Sequence, residues 1–332
     1  MSKKILVTGG AGFIGSHLVE RLVRGGHEVT VVDNFSTGNR GNLARIKDQI
    51  RLIEADVRKF DAIRACCEGK DIVFHLAALA DIVPSIINPR GYYSVNVGGT
   101  MNLIEASRLS GVKKFVYAAS SSCYGIPPDD FYPTSEDAPL NPKYPYALTK
   151  YLGETTIFHW GQVYDVPVVS LRLFNVYGPR ARTAGTYGAV FGVFLAQKLK
   201  GKPFTVIGDG NQSRDFVYVT DVAEAFVAAG FSDKASNEVF NIGSGAPQSV
   251  NKLVSLLEGE KVYIPKRPGE PECTWADITK AGSMIGWAPA VPFEKGVEKV
   301  LDEINYWHAA PVWTPATIEK ATQEWFKYLV KE

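Results

Sequence analysis

A tyrosine and a lysine four positions apart are the first residues of this sequence whose types and spacing could do chemistry. Tyr146 and Lys150 fall in a segment with helical character, so both side chains lie on one helix face. An ammonium beside a phenol favours the phenolate and lowers the pKa of the tyrosine. A phenolate is a competent general base toward a substrate hydroxyl.

Three serines upstream strengthen this interpretation, because Tyr and Lys share helix faces in many proteins without a catalytic role. Ser120, Ser121 and Ser122 follow a predicted strand, where their hydroxyls could hold the same substrate oxygen as Tyr146. We therefore predict that Tyr146, Lys150 and Ser120 are the catalytic residues.

A glycine-rich turn near the N-terminus is the strongest local motif. Its glycines lie between a short apolar run and a helical segment. Without side chains, the backbone can turn tightly and let a pyrophosphate approach the amides at the helix N-terminus, where the helix dipole favours negative charge. A glycine trio alone is weak evidence, but here the strand, the helix and a following acidic residue are all in place. The predicted dinucleotide-binding loop comprises Gly9, Gly12, Phe13, Ile14 and Gly15.

Two aspartates are placed to contact the adenosine half of a dinucleotide. Asp33 ends the second predicted strand, 18 positions after Gly15. Its carboxylate can accept hydrogen bonds from ribose hydroxyls and would repel a 2′-phosphate, which favours NAD over NADP. Asp56, just after the third predicted strand, is a weaker candidate for a contact with the adenine amine.

Alternating strands and helices must position these residues. The predicted strands are 4–7, 28–32, 51–54, 72–76, 114–118 and 168–173, and the predicted helices are 13–24, 61–68, 92–109 and 146–164. Repeated βα units imply an α/β fold with a doubly wound parallel sheet of the Rossmann type.

The pattern changes after about Tyr177. The elements predicted there are a loop at 183–188, a helix at 189–199, a strand and turn at 202–210, a strand and helix within 217–229, a strand at 239–242 and an amphipathic helix beginning at Thr314-Pro315. We divide the chain into a dinucleotide-binding domain at 1–176, with a returning segment at about 215–240, and a smaller interleaved C-terminal lobe, mainly for substrate, at 177–332.

The composition restricts the class of protein. The 332 residues carry 36 Lys and Arg against 35 Asp and Glu, a formal net charge of +1, which gives no electrostatic reason to expect a nucleic-acid or membrane partner. The four cysteines and five histidines lack metal-site spacing, so we expect no metal, and we interpret His75 as a packed core residue. Reduced thiols, and apolar runs too short for a signal peptide or a membrane span, favour a cytoplasmic protein.

Taken together, these motifs resemble the extended short-chain dehydrogenase/reductases that act on nucleotide sugars, most closely the sugar 4-epimerases. The resemblance runs over nearly the whole chain. It is carried by the glycine turn, Asp33, Asp56-Val57, His75-Leu76-Ala77-Ala78, Asn96-Val97-x-Gly99-Thr100, Ser120, Tyr146-x-x-x-Lys150, the run from Arg172 to Pro179, Gly208-Asp209-Gly210 with Arg214-Asp215-Phe216, and Arg267-Pro268-Gly269-Glu270.

The resemblance implies a role for each matching residue. Tyr146 would be the base, Lys150 would lower its pKa and hold the nicotinamide ribose, and Ser120 would share the substrate oxygen. The further NAD-binding residues it implies are Asn34, Asp56, Val57, Leu76, Ala77, Ala78, Asn96 and Phe174. The nucleotide-sugar-binding residues it implies are Ser121, Ser122, Asn175, Val190, Arg214, Arg267, Glu270 and Thr274. A guanidinium suits a diphosphate because it presents a planar fork of donors.

The activity implied is NAD-dependent 4-epimerisation of a UDP-hexose, a UDP-N-acetylhexosamine or a related sugar. C4 is oxidised to a 4-keto intermediate, and hydride returns to its other face. The 4,6-dehydratases of this family carry an Asp-Glu pair where this chain has Ser121 and Ser122, and the decarboxylases place a Glu nearby, so chemistry beyond C4 is not expected. Thr274 matches a position that limits sugar size, and a small residue there favours an enlarged sugar.

Two alternatives stay open, together with one expectation about assembly. The run 180–191 and the tail 312–328 are similar to a subgroup acting on activated heptoses such as GDP-heptose, which implies a dehydrogenase that releases the 4-keto product. A regulator that senses NAD without turnover is an alternative of another class, although it would not need Tyr146, Lys150 and Ser120 together. The resemblance also implies a homodimer, in which helices at 96–109 and 146–164 form a four-helix bundle with a second copy.

Overall fold

The computed structural model describes residues 1–182 and 189–329. The predicted loop at 183–188, the middle of the run 180–191 and the last three residues of the chain lie outside the described residues. None of the helices in the described ranges combines the length and the hydropathy needed to cross a bilayer.

The strands and helices alternate along the first half of the chain. The strands are β1 (Lys4–Thr8), β2 (Glu28–Asp33), β3 (Ile50–Glu54), β4 (Ile72–His75), β5 (Lys114–Ser120), β6 (Val168–Leu173), β7 (Asn175–Tyr177), β8 (Phe204–Ile207), β9 (Ser213–Arg214), β10 (Phe216–Tyr218), β11 (Glu238–Ile242), β12 (Gln248–Ser249) and β13 (Lys261–Ile264). The α-helices are α1 (Phe13–Arg24), α2 (Phe60–Cys67), α3 (Ile82–Ile87), α4 (Pro89–Tyr92), α5 (Gly99–Leu109), α6 (Pro145–Tyr164), α7 (Val190–Leu199), α8 (Val219–Phe231), α9 (Val250–Leu257), α10 (Thr279–Ile285), α11 (Phe293–Asp302) and α12 (Pro315–Leu329).

A seven-stranded sheet forms the centre of the larger lobe. Its strand order is β11-β6-β5-β4-β1-β2-β3, and every neighbouring pair is parallel. The strands are apolar on both faces because helices cover both: Ile5, Val7 and Phe74 join one core, and Leu6 and Val73 join the other. The predicted doubly wound parallel sheet is confirmed.

The strand order reverses between β1 and β4, and this reversal brings the functional loops together. β1 leads into the glycine turn and α1, β4 leads into the segment beginning at Leu76, and β5 ends at Ser120. In open α/β sheets, ligands bind outside the carboxyl ends of the strands at such a reversal. The fold therefore creates one crevice toward which all three loops point.

The smaller lobe packs around aromatic side chains. Tyr177 stacks on Phe191 with ring centres 4.5 Å apart, and Phe216 stacks on Phe293 at 5.3 Å. The chain passes repeatedly between the lobes, since β11 follows α8 and then pairs with β6 at the edge of the large sheet. The proposed division into residues 1–176 and 177–332, with a returning segment at about 215–240, stays a prediction.

The predicted helix at 92–109 is interrupted by a π-helical segment. The chain is α-helical to Tyr92, forms a π-helix over Tyr93–Gly98 and is α-helical again from Gly99. The second part approaches a neighbouring loop closely, because a Cβ at Gly99 would lie 2.6 Å from a methyl carbon of Val57. Apolar spacing cannot reveal one wider turn inside a helix, and such turns occur often at functional sites.

His75 is a buried core residue, as predicted. Its Nδ1 lies 2.7 Å from the Thr8 hydroxyl and its Nε2 lies 3.0 Å from the Thr100 hydroxyl. Burial lowers the pKa of the imidazole to about 3, so the ring is neutral. It connects β1, β4 and α5 beneath the crevice.

A buried ion pair ties the helix carrying Tyr146 to the sheet. The Arg172 guanidinium on β6 lies 2.7 Å from the Glu154 carboxylate on α6, and the two side chains are 6% and 5% exposed. Ser170 donates to the same carboxylate at 2.7 Å, and Arg172 donates to the Tyr124 hydroxyl at 2.8 Å. Because Tyr124 belongs to the turn after Ser120, this network connects the two segments that carry the predicted catalytic residues.

Replacing Arg172 with Leu should lower the free energy of unfolding by about 3–5 kcal/mol, because it leaves the Glu154 charge buried without its cation. Urea denaturation followed by circular dichroism measures this loss. Lys295→Ala is the matched control: it breaks an ion pair with Glu298 whose side chains are 65% and 60% exposed, and should cost less than about 1 kcal/mol. Equal losses in the two variants would contradict a structural role for the buried pair.

Candidate active site

A cleft of about 860 Å³ runs along the crevice between the two lobes. Every residue predicted to contact cofactor or substrate lines this cleft except Lys150 and Asn96. The topology therefore brings together residues that lie far apart in the sequence, from Gly9 near the N-terminus to Thr274 near the C-terminus.

The glycine turn forms a cradle that side chains would fill. Gly9 has a φ of +70°, and a Cβ there would lie 2.6 Å from the backbone nitrogen of Ala77. A Cβ at Gly15 would lie 2.2 Å from the Gly9 carbonyl oxygen. The first turn of α1, which the structure describes in full, has no acidic side chain, so its amides and dipole are available to an anion. These features fit the pyrophosphate of a dinucleotide.

Asp33 ends β2 at the wall of the cleft and is held by backbone amides. Its two carboxylate oxygens accept hydrogen bonds from Ala11 N at 3.0 Å and from Phe35 N at 2.8 Å. Burial raises the pKa of this carboxyl, and the two amides oppose the rise. The position fits the predicted contact with ribose hydroxyls, since each oxygen retains capacity for a further hydrogen bond.

Asp56 lines the cleft, but its carboxylate is already engaged. Arg58 donates to both of its oxygens, with a shortest distance of 2.6 Å, and Asn34 Nδ2 donates at 3.0 Å. The Arg58 hydrogen bonds hold the pKa of Asp56 far below its usual range. The contact of Asp56 with an adenine amine stays a prediction.

Tyr146 and Ser120 meet on the cleft wall where α6 faces the end of β5. Ser120 hydrogen-bonds to the Tyr146 phenol, and its own oxygen lies 2.8 Å from the Ser122 hydroxyl. Burial raises the pKa of Tyr146, the Ser120 hydrogen bond lowers it, and the Asp81 carboxylate raises it further. The pair has the geometry to share one substrate hydroxyl.

Lys150 lies one turn after Tyr146 on α6 and is buried. Its Nζ lies 4.4 Å from the centre of the Tyr117 ring. Burial lowers the pKa of Lys150 to about 7, and the Glu154 carboxylate partly opposes this effect. The net pKa shift of Tyr146 is upward because burial of the phenol is its largest cause, and the lowering of that pKa by Lys150 stays a prediction. Burial disfavours both charges, the ammonium as well as the phenolate.

Asn96, in the π-helical segment, lies beneath the cleft, and its side-chain amide forms hydrogen bonds with other residues of the chain. Its Nδ2 donates to the Leu79 carbonyl and to the Thr149 hydroxyl, both at 3.0 Å, and its Oδ1 accepts from Leu79 N at 2.9 Å. Asn96 therefore fixes the loop after β4 against α6. A direct contact with the cofactor stays a prediction.

Two arginines and a glutamate form the far end of the cleft. The Glu270 carboxylate lies 3.2 Å from Arg214 and 3.5 Å from Arg267. Two guanidiniums and one carboxylate give the cluster a formal charge of +1, since 2 − 1 = +1. Converging guanidiniums of this kind suit a diphosphate group.

Thr274 lines the cleft and fixes the predicted substrate-binding amide. Its hydroxyl donates to Asn175 Oδ1 at 2.8 Å and accepts from Asp215 N at 2.9 Å. Because the Oδ1 of Asn175 is engaged in this way, its Nδ2 is left as the donor group at the cleft. Thr274 thus holds the Asn175 amide, and its effect on sugar size stays a prediction.

Several cleft residues were not predicted from the sequence. Asp81 and Arg182 form an ion pair across the cleft, and Tyr144 stacks beside Tyr146 with ring centres 6.5 Å apart. Trp325 enters from the C-terminal helix. Tyr144 could have been found from its spacing of two before Tyr146. The other three carry no local signal, because only the tertiary fold brings them to the site.

The chain is similar to known epimerases over most of its length. It is 38% identical over 309 residues to a UDP-glucose 4-epimerase of Mycolicibacterium smegmatis, covering 90% of this chain and 97% of that protein. The crystal structure of a UDP-glucose 4-epimerase from Thermotoga maritima with UDP-glucose superposes with a TM-score of 0.85 at 36% identity, covering 92% of this chain and 99% of the other.

A second solved structure contains a different sugar nucleotide. It is a UDP-glucuronic acid 4-epimerase from Bacillus cereus in complex with UDP-glucuronic acid and NAD, with a TM-score of 0.83 at 34% identity, covering 91% of this chain and 99% of the other. The model of the NAD-dependent epimerase/dehydratase family matches residues 5–243, which include the glycine cradle, Ser120 and Tyr146. The chain belongs to the NAD-dependent epimerase/dehydratase family.

Proposed function

We propose that this protein is an NAD-dependent nucleotide-sugar 4-epimerase. The observation that carries the proposal is the arrangement of the cleft, in which the Tyr146–Ser120 pair lies between a dinucleotide cradle and an arginine cluster suited to a diphosphate. Relatives that cover nearly the whole chain are 4-epimerases, and one of the solved structures is a complex with NAD. When bound, NAD supplies an acceptor and donor of hydride.

Tyr146 and Ser120 would carry out the proton transfers at the 4-hydroxyl of the sugar. Tyr146 takes the proton from the sugar 4-hydroxyl, and Ser120 donates a hydrogen bond to the same oxygen. The 4-keto sugar then rotates in the cleft and presents the opposite face of C4. When hydride has returned to that face, Tyr146 returns the proton to the oxygen on C4. Before the first proton transfer, Ser120 donates a hydrogen bond to the phenol oxygen of Tyr146. This hydrogen bond favours the phenolate because it lowers the pKa of Tyr146.

The arginine cluster would let the sugar turn while the substrate stays bound. Arg214 and Arg267 hold the diphosphate at a distance from the reacting carbon, and Asn175 adds a donor between the two regions. Binding energy from such remote groups positions the reacting atoms without fixing the sugar ring itself. Because the relatives named above act on UDP-sugars, we propose a UDP-sugar substrate, and Thr274 leaves room for an enlarged ring.

The proposal includes a cytoplasmic homodimer. Several apolar side chains of α5, of α6 and of the π-helical segment before α5 are exposed in the single chain. The exposed fractions are 54% for Tyr93, 44% for Met101, 43% for Leu148, 51% for Val163 and 47% for Tyr164. Such a surface fits a second copy of the same chain packed as a four-helix bundle. All four cysteines lie within the described residues and are free thiols, which suits a reducing compartment.

The function is tested with the purified protein and a panel of UDP-, GDP- and dTDP-sugars followed by NMR. We expect a UDP-sugar to be converted to its C4 epimer, and Tyr146→Phe to lower kcat by about 10²- to 10⁴-fold without loss of folding, because the base is gone. Accumulation of a ketone with one NADH per enzyme would mean a dehydrogenase instead. Tight NAD binding with no turnover of any sugar would mean a sensor.

Ser120→Ala should shift the pH dependence of kcat/KM to higher pH. The phenolate of Tyr146 is the active form, so activity rises with pH through the pKa of Tyr146, and losing the hydrogen bond raises that pKa. At pH 7 we expect a loss of about 10- to 100-fold in kcat/KM. Ser121→Ala keeps the Ser120 contact and should leave the midpoint of the profile unchanged. A profile of Ser120→Ala that matches the wild-type midpoint would count against this role.

Charges placed on the α5–α6 surface should produce a monomer. Met101→Glu combined with Val163→Glu would bury like charges in the proposed bundle, and light scattering should show half the wild-type mass. Tyr263→Glu is the matched control, since Tyr263 is 53% exposed on β13, away from this surface. A wild-type protein that is already monomeric at micromolar concentration would refute the dimer.

A further inference from the structure

The C-terminal helix α12 contributes one side chain to the cleft. Its buried residues are Ile318, Thr322 and Trp325, whose spacing of four and three places them on one helix face. This face packs toward the body of the protein, and α12 also lies against α3. Trp325 is 3% exposed and lines the far end of the cleft.

Trp325 contacts the segment that carries Arg267 in two ways. The Arg267 guanidinium carbon lies 5.4 Å from the centre of the Trp325 ring, which is a cation–π contact. The indole Nε1 donates a hydrogen bond of 2.8 Å to the carbonyl oxygen of Pro268, the next residue along the chain. The indole therefore holds both the side chain and the backbone of this segment.

The same ring also reaches the tyrosine beside the catalytic one. The Trp325 and Tyr144 ring centres are 6.1 Å apart, and Tyr144 stacks on Tyr146 at 6.5 Å with their planes 8° from parallel. One indole thus lies between the arginine cluster and the start of α6. The matched family region ends at residue 243, so it does not include Trp325.

We propose that Trp325 is a positioning residue for substrate binding: it holds the Arg267 guanidinium in place for the diphosphate of the nucleotide sugar. This inference rests on the proposed function, because it takes a diphosphate as the ligand of Arg267. Trp325 does not bind the diphosphate itself. It restricts Arg267 to the orientation that binds, so less side-chain entropy is lost when the substrate arrives.

The cluster geometry explains why such a restraint is useful. Arg267 and Arg214 share the Glu270 carboxylate, at 3.5 Å and 3.2 Å. A diphosphate that uses both guanidiniums competes with Glu270 for them. The indole holds Arg267 through a cation–π contact, which is not an ion pair for which an incoming anion must compete.

The test is a double-mutant cycle with UDP as the probe, measured by calorimetry on the full chain containing NAD. Trp325→Leu and Arg267→Gln should each weaken UDP binding by about 10-fold, and the double variant should be little weaker than Arg267→Gln alone. Trp325→Phe keeps an aromatic face and loses the donor to Pro268, so we expect about a 3-fold loss. In turnover, Trp325→Leu should raise KM far more than it lowers kcat.

Trp287 provides a matched control for general packing. It is also a buried indole, 4% exposed, and its Nε1 donates a 2.8 Å hydrogen bond to a backbone carbonyl, that of Asp221. It belongs to the core beside the large sheet and does not line the cleft. Trp287→Leu should lower Tm while changing the UDP affinity of the folded protein by less than 2-fold, and NAD affinity should be unchanged in Trp325→Leu.

Several results would overturn the inference. The first is a UDP affinity of Trp325→Leu within 2-fold of wild type. The second is a double variant whose loss of UDP affinity equals the product of the two single losses, which would mean that Trp325 and Arg267 act independently. The third is an equal loss of NAD and UDP affinity in Trp325→Leu. A wild-type protein that binds UDP and shows the non-additive cycle, yet converts no sugar, would support the role of Trp325 and refute the epimerase function. A wild-type protein that does not bind UDP would refute both.

Discussion

The active site depends on a conflict between burial and charge at Tyr146. The chemistry proposed for Tyr146 requires a phenolate, but burial in the cleft raises the pKa of the phenol. Ser120 supplies the one hydrogen bond that opposes this effect among the causes of the shift. The same burial lowers the pKa of Lys150 to about 7, and the effect of Lys150 on Tyr146 stays a prediction. The position of the Ser120 hydroxyl relative to the phenol is therefore a constraint on the site.

This constraint accounts for the rigid support beneath the catalytic pair. The Tyr146 helix is tied to β6 by the Arg172–Glu154 ion pair and to the loop after β4 by Asn96. A hydrogen bond between two side chains on different elements keeps its strength only if both elements stay in register. The interior polar groups thus maintain a geometry that the catalytic residues alone could not hold.

The sequence predicts the large sheet well because its signals are local. Apolar runs ending in glycine or in polar residues mark the parallel strands, and the glycine turn specifies its own backbone conformation at Gly9. The π-helical segment before Gly99 is invisible to periodicity, and the short helices α9 to α11 carry too few turns to stand out from the loops around them. The charge state of Lys150 could not be read from its spacing either, since it depends on burial that only the tertiary structure defines.

The two ends of the cleft also differ in how far local sequence signals predict their residues. The glycine cradle and Asp33 lie on the continuous segment from β1 through α1 to β2, so a local motif identifies them. The nucleotide end is assembled from β9, the segment after β13 and α12, which are distant in sequence. Asp81, Arg182 and Trp325 therefore emerge only from the fold. These positions differ in their effect on Tyr146: the Asp81 carboxylate raises the pKa of Tyr146, whereas Trp325 reaches Tyr146 only through the ring of Tyr144.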